Sequence, residues 1–126
     1  MLTEKEAVAN VQGSPVHPDV MADFSHSPLG SPFPADAAFH AACAWGQRYA
    51  GIVAFPVGLG ARHIIRPTRA DECYRAGCIP LKYDAQVLVF DIYLHDQKGS
   101  LCEVIKDLQM RDISRGAMKV PEWVRV

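Results

Sequence analysis

An α+β architecture, one antiparallel sheet wrapped around a single long helix, follows from three features of this chain. Residues 34–49 form one long apolar run of helical character. Everything after it breaks into short runs rich in β-branched and aromatic residues, separated by turn residues. A polar turn, Asp96-Gln97-Lys98-Gly99, joins the last two of those runs as the loop of an antiparallel hairpin.

Each element has a local reason. Residues 1–30 read as an irregular lead-in to a domain spanning 31–126, because Gly13, Pro15, Pro18, Pro28 and Gly30 punctuate them. Glu4 to Val11 fits either a short helix or an edge strand. The helix begins at about Pro34, where a missing N–H costs nothing, and ends near Tyr49 with Gly51 as its C-cap. Strands follow at Ile52–Gly58 and Ala61–Arg66, on either side of the break Gly58-Leu59-Gly60. Further strands are expected at Cys73–Leu81, Gln86–Leu94 and Leu101–Arg111. A sheet face must bury itself against something, and one long helix is what this chain offers. The economical arrangement is the hotdog fold, with the helix as sausage and the sheet as bun.

Bulk properties narrow the function. A chain of 126 residues suits one domain. Its net charge of −1 comes with no basic stripe, so neither nucleic acid nor an anionic membrane is an expected partner. No apolar run reaches the ~20 residues needed to span a bilayer. The start, Met-Leu-Thr-Glu-Lys-Glu, lacks the regions of a signal peptide, so a cytoplasmic location is expected. The four cysteines, Cys43, Cys73, Cys78 and Cys102, are expected to be buried free thiols. Cys73 and Cys78 lack the CxxC spacing, and the five histidines form no paired ligand motif, so no metal is expected. GxGxxG and GxxxxGK[ST] are both absent, which leaves a nucleotide cofactor unsupported.

Asp36 and His40 stand out. They lie about one helical turn apart on one face at the front of the apolar helix. A helix apolar on nearly every side is expected to be buried. An acid and an imidazole entering it are costly unless paired or used. The plainer reading of Asp36 is a first-turn acid complementing the helix dipole, and that of His40 is a satisfied core histidine. Trp45 and Tyr49 read as packing residues. Glu103, Lys106, Asp107 and Arg111 fit the exposed side of an outer strand.

Several stretches carry a family resemblance. Pro32-Phe33-Pro34-Ala35-Asp36-Ala37-Ala38-Phe39-His40 resembles the PxxxDxxxQ/H motif of polyketide synthase dehydratase domains, in their C-terminal hotdog half. Phe55-Pro56-Val57-Gly58 through Arg62-His63-Ile64-Ile65-Arg66-Pro67 is similar to that family's next strand. Phe90 through Gly99 resembles its strand and D-x-x-G turn, and Leu108 to Ile113 its closing strand. The likeness spans roughly residues 30–115.

The resemblance implies removal of water from a β-hydroxyacyl chain carried as a thioester on acyl carrier protein, in polyketide or fatty-acid synthesis. The substrate would ride on phosphopantetheine, with no other cofactor. Asp36 matches the acid that protonates the departing hydroxyl, and His40 the residue that orients it. Departure of hydroxide needs such a proton, and burial is expected to favour the protonated acid. The family's base, a histidine in HxxxGxxxxP, lies in the other hotdog half, and this chain is too short for both halves. It is then one half of a double hotdog, or a homodimer that completes its own site. His26 keeps the second option open, since His26 to Pro34 reads HxxxGxxxP, one residue short of that motif. Phe33, Pro56, Val57 and Gly58 either line an acyl tunnel or simply pack. Arg62, His63 and Arg66 either attract the phosphopantetheine phosphate or form a solvated strand face. A module that binds acyl chains or scaffolds without turnover is the non-enzymatic alternative.

Overall fold

The computed structural model describes residues 1–13 and 27–125. Strand β1 spans Ala7–Gln12 and helix α1 Phe33–Trp45, which runs on through a π-helical turn at Gly46–Ala50. Then come β2 (Phe55–Gly58), β3 (Ala61–Ile64), β4 (Cys73–Tyr83), β5 (Val87–Asp96) and β6 (Leu101–Arg111). The six strands make one antiparallel sheet, ordered β1-β4-β5-β6, with β2 and β3 end to end along the free side of β6. The expected hotdog arrangement is borne out. Gly51 ends the helical run in the left-handed region, at φ 72°. Of the two readings of Glu4 to Val11, the edge strand holds: residues 7–12 pair with β4, so the sheet includes part of the lead-in.

The helix lies close to the sheet because small residues face each other. Ala35, Ala38 and Ala42 are buried on α1, opposite Ala7 of β1 and Ala76 and Cys78 of β4. The Cys78 thiol donates to the Ala38 carbonyl at 3.4 Å, so helix backbone nearly touches strand. Larger side chains fill the other half of the core. Leu88, Phe90, Ile92 and Leu94 alternate along β5 and are fully buried, as a strand with one covered face requires. Trp45 closes the far end of the helix against Phe90 and Tyr83. Its indole N–H donates to the Thr3 carbonyl at 2.8 Å, tying the first residues to the helix.

A buried polar node fixes the other end. The Ser31 hydroxyl donates to the Gly13 carbonyl, and the Thr68 hydroxyl donates to the Ser31 carbonyl at 2.9 Å. Gly13 must be glycine, because a Cβ there would lie 1.7 Å from the Arg69 carbonyl oxygen.

Two irregularities shape β6. Phe90 pairs with Leu108 but Ile92 with Ile105, and Leu94 pairs with Glu103 but His95 with Leu101. Each step puts one extra residue in β6, which bends and twists it. At the first of these bulges Asp107 sits at φ 55°, a region Asp tolerates better than most side chains. The buried Asp91 carboxylate holds the bulge. It accepts the Asp107 N–H at 3.0 Å and pairs with the Lys106 ammonium, which raises the Lys106 pKa from its ordinary value.

Gly46 tests the closeness of this packing. A Cβ there would fall 2.4 Å from Leu88 Cδ1. Gly46→Ala is expected to cost about 1–3 kcal/mol in urea unfolding through overpacking. Combining it with Leu88→Ala is expected to cost less than the sum of the two single changes, since they share one space.

Candidate active site

The stripe Asp36, His40 and Cys43 runs along α1, with Gln47 following in the π-helical turn, across the helix from the buried stripe of Ala35, Ala38, Ala42 and Trp45. At ~100° per residue the two stripes are centred about 150° apart, so they face nearly opposite sides. Asp36 therefore does not enter the core. Its side chain is 69% exposed and that of His40 is 80% exposed, contrary to the expected burial. Alanine explains the difference. It counts as apolar on every face, so an alanine-rich helix gives no sign of which side is open. His40 Nε2 and Asp36 Oδ2 are 3.6 Å apart, longer than a hydrogen bond. They attract only while the imidazole is protonated.

Asp36 borders two grooves with Phe39 as the wall they share. One, of about 210 Å³, is lined by Asp36, Phe39, His40, Cys43, Ala54, Phe55 and Pro56. The other, of about 320 Å³, lies towards β3 and is lined by Pro32, Ala35, Phe39, Leu59, Arg62 and Ile105 along with Asp36. Among the expected tunnel residues, Pro56 borders the first groove. Phe33 is half-buried at the start of α1, and Val57 and Gly58 are exposed on β2; none of these three borders either groove. His26 lies outside the described residues.

Sequence reasoning missed one polar pair in this region. Glu103 is not on an outer, solvated face; its side chain is 1% exposed and pairs with Arg62 Nε. The cause is the β6 bulges. They shift the alternation, so Glu103 follows Ile105, Leu108 and Met110 onto the inner face, opposite Leu94. Arg62 lies opposite Ile105 on β3 and is 30% exposed, with one terminal nitrogen a long 3.5 Å from the Leu29 carbonyl. Arg66 is engaged elsewhere, on Asp96 at the β5–β6 turn, and His63 is exposed.

Arg66 also lines a polar pocket of about 370 Å³ with Arg69, Glu72, Tyr74 and Lys98. Tyr74 is already satisfied there. Its hydroxyl accepts the Arg69 N–H at 2.6 Å and donates to Glu72 at 3.3 Å. Burial, with Glu72 beside it, raises its pKa. No three His, Cys, Asp or Glu side chains converge on a metal position among the described residues. No described helix is long and apolar enough to cross a membrane.

The cysteines divide more sharply than expected. Cys78 and Cys102 are buried, Cys43 is half-buried, and Cys73 is exposed. Burial pushes the Cys78 thiol up to about 12.

The fold and the two grooves set the context for comparison with known proteins. The family described as polyketide synthase dehydratase N-terminal domain matches residues 2–119. The chain belongs to the polyketide synthase dehydratase family. Its motifs resemble the C-terminal half of such dehydratases while the matching family is named for the N-terminal domain; membership holds for either half. Solved structures share the fold. The PaaI protein of E. coli, from the phenylacetic acid degradation operon, superposes with a TM-score of 0.64 at 15% identity, covering 88% of this chain and 79% of that one. The smu.793 protein of Streptococcus mutans UA159, solved bound to acetyl CoA, gives 0.66 at 6% identity, covering 88% and 83%. The thioesterase HI1161 of Haemophilus influenzae gives 0.58 at 17%, covering 88% and 73%. No curated protein sequence matches the chain.

Two outcomes follow. In thiol titration with a chromogenic disulfide, Cys73 reacts first, and Cys73→Ser removes that fast phase. Cys78 and Cys102 react only once the chain unfolds, since both are buried away from the reagent. In urea unfolding, Arg62→Ala costs about 3–5 kcal/mol by leaving a buried charge unpaired, whereas Arg62→Met with Glu103→Met costs far less.

Proposed function

We propose that the chain is a dehydratase-type hotdog acting on β-hydroxyacyl thioesters carried on the phosphopantetheine of an acyl carrier protein. Asp36 is the general acid. The carrying observation is that, in a member of the dehydratase family, this one carboxylate borders both grooves beside the helix. A β-hydroxyl bound between the grooves takes its proton from Asp36, and the C–O bond breaks to release water. His40, one turn on, orients the carboxyl once the two close to hydrogen-bonding distance.

The high exposure of Asp36 fits a site completed by a second hotdog. The free edge at β2 and β3 carries exposed Val57 and Leu59, with Ile65 just beyond it, a surface suited to pairing. The second hotdog is another copy of this chain or the other half of a double hotdog. It covers the acid and supplies the histidine base that takes the α-proton. In a homodimer His26 of the other copy is the candidate.

The same exposure also favours a second reading, an acyl-binding module without turnover. One assay separates the readings. Crotonyl-pantetheine is incubated with wild type and with Asp36→Asn, and enoyl absorbance and free thiol are both followed. Dehydratase function gives loss of enoyl absorbance by hydration, slowed about a hundredfold to ten-thousandfold in the variant. Release of thiol would mean thioester hydrolysis instead. Binding without either change would mean half of a double hotdog or a module, and adding the other hotdog half would restore hydration in the first case alone. His40→Ala is expected to retain more activity than Asp36→Asn, since it acts through the acid.

A further inference from the structure

The two grooves beside Asp36 differ in chemistry. Apart from Asp36 and His40 at its rim, the groove along β2 is walled by Phe39, Cys43, Ala54, Phe55 and Pro56 and offers no charged donor. The groove along β3 is also mostly apolar but contains the Arg62 guanidinium. Glu103 holds that guanidinium by its Nε edge. The outer nitrogens are left with the long contact to Leu29 as their one hydrogen bond to the described residues. A buried carboxylate spent on one edge of an arginine fixes the direction of the rest.

A β-hydroxyacyl thioester is asymmetric in the same way. From the carbon bearing the hydroxyl, one side continues as hydrocarbon. The other side reaches a carbonyl oxygen two carbons away. With the hydroxyl at Asp36, the two sides fall into the two grooves, and one groove alone has a donor for the carbonyl. We infer that Arg62, held by Glu103, receives the thioester carbonyl in the β3 groove, so that the acyl tail lies along Cys43, Ala54 and Phe55. This orientation rests on the substrate class proposed above. It also has a use in the reaction. When the α-proton leaves, negative charge grows on that oxygen, and a fixed guanidinium is a ready partner for it. The Glu103 charge keeps the pair neutral overall, which suits a neutral carbonyl better than a free carboxylate.

The test reads binding and not turnover, so failed dehydration and failed orientation are told apart. Butyryl-pantetheine and S-butyl-pantetheine differ by one carbonyl, a thioester against a thioether. Calorimetric titration of the wild type is expected to favour the thioester by about tenfold to a hundredfold, the range for a hydrogen bond to a charged group. Arg62→Met with Glu103→Met is expected to bind both ligands alike, near the wild-type affinity for the thioether. Arg62→Lys keeps a charge opposite Glu103 if the double variant fails to fold, and is expected to lose part of the preference. Cys43→Phe is expected to weaken octanoyl-pantetheine relative to butyryl-pantetheine and to leave the carbonyl preference in place. A wild type that binds neither ligand, or shows no carbonyl preference, overturns the inference. So does a preference that survives in the Arg62 variants, or one that Cys43→Phe abolishes.

Discussion

The rest of the structure depends on how closely α1 approaches the sheet. Alanines on the helix meet alanine and cysteine on β1 and β4, and Cys78 reaches the carbonyl of Ala38. Interiors pack at near-crystalline density, so such an interface leaves little room for the helix to roll or slide. Its position fixes the stripe of Asp36, His40 and Cys43 towards β2 and β3. The bulky half of the core, from Leu88 to Leu94 on β5, then fills the space that the small half leaves under Trp45. Asp36, His40 and Cys43 thus sit on a helix whose opposite face is anchored by small residues.

Strand β6 supplies the second constraint. Its bulges bend the sheet around the helix, and the buried Asp91 carboxylate stabilises one of them by accepting the Asp107 N–H. The same bulges set which residues of β6 face inward. That choice brings Glu103 under Arg62 and puts a charge beside a groove that is otherwise largely apolar. Family membership, two unlike grooves and one acid bordering both are the observations behind the proposed thioester orientation.

Much of this was legible in the sequence. The β-branched run of β5 and the Asp96–Gly99 turn announced a hairpin, and Gly51 marked the end of the helical run. The motif around Asp36 pointed to the dehydratase family that residues 2–119 match. What was not legible has physical causes. Alanine periodicity carries no facing information, so the exposure of Asp36 was hidden. A bulge changes parity without changing composition, so Glu103 looked like an outer-face acid when it is an inner one. The signal that could have exposed it is the spacing of Ile105 and Leu108, three apart where strict alternation requires two. Residues 7–12 read as weakly as they did because an edge strand of Ala, Val and Asn has little pattern of its own. Arg62 was noticed, but its partner lies forty-one positions away in a strand whose phase had to be known first.

The edge opposite β1 is not one strand but two. β2 pairs with the end of β6 and β3 with its beginning, and Leu59 and Gly60 pass the Asp107 bulge between them. Each segment has its own ladder of hydrogen bonds. Fraying of β2, which carries Pro56 and a register shift of its own, therefore stops at the break and does not unzip β3. The wall along the Cys43 groove and the wall carrying Arg62 are separate units of local stability. One can loosen while the other keeps its place; in the orientation proposed above, the tail side then varies while the Arg62 side stays fixed.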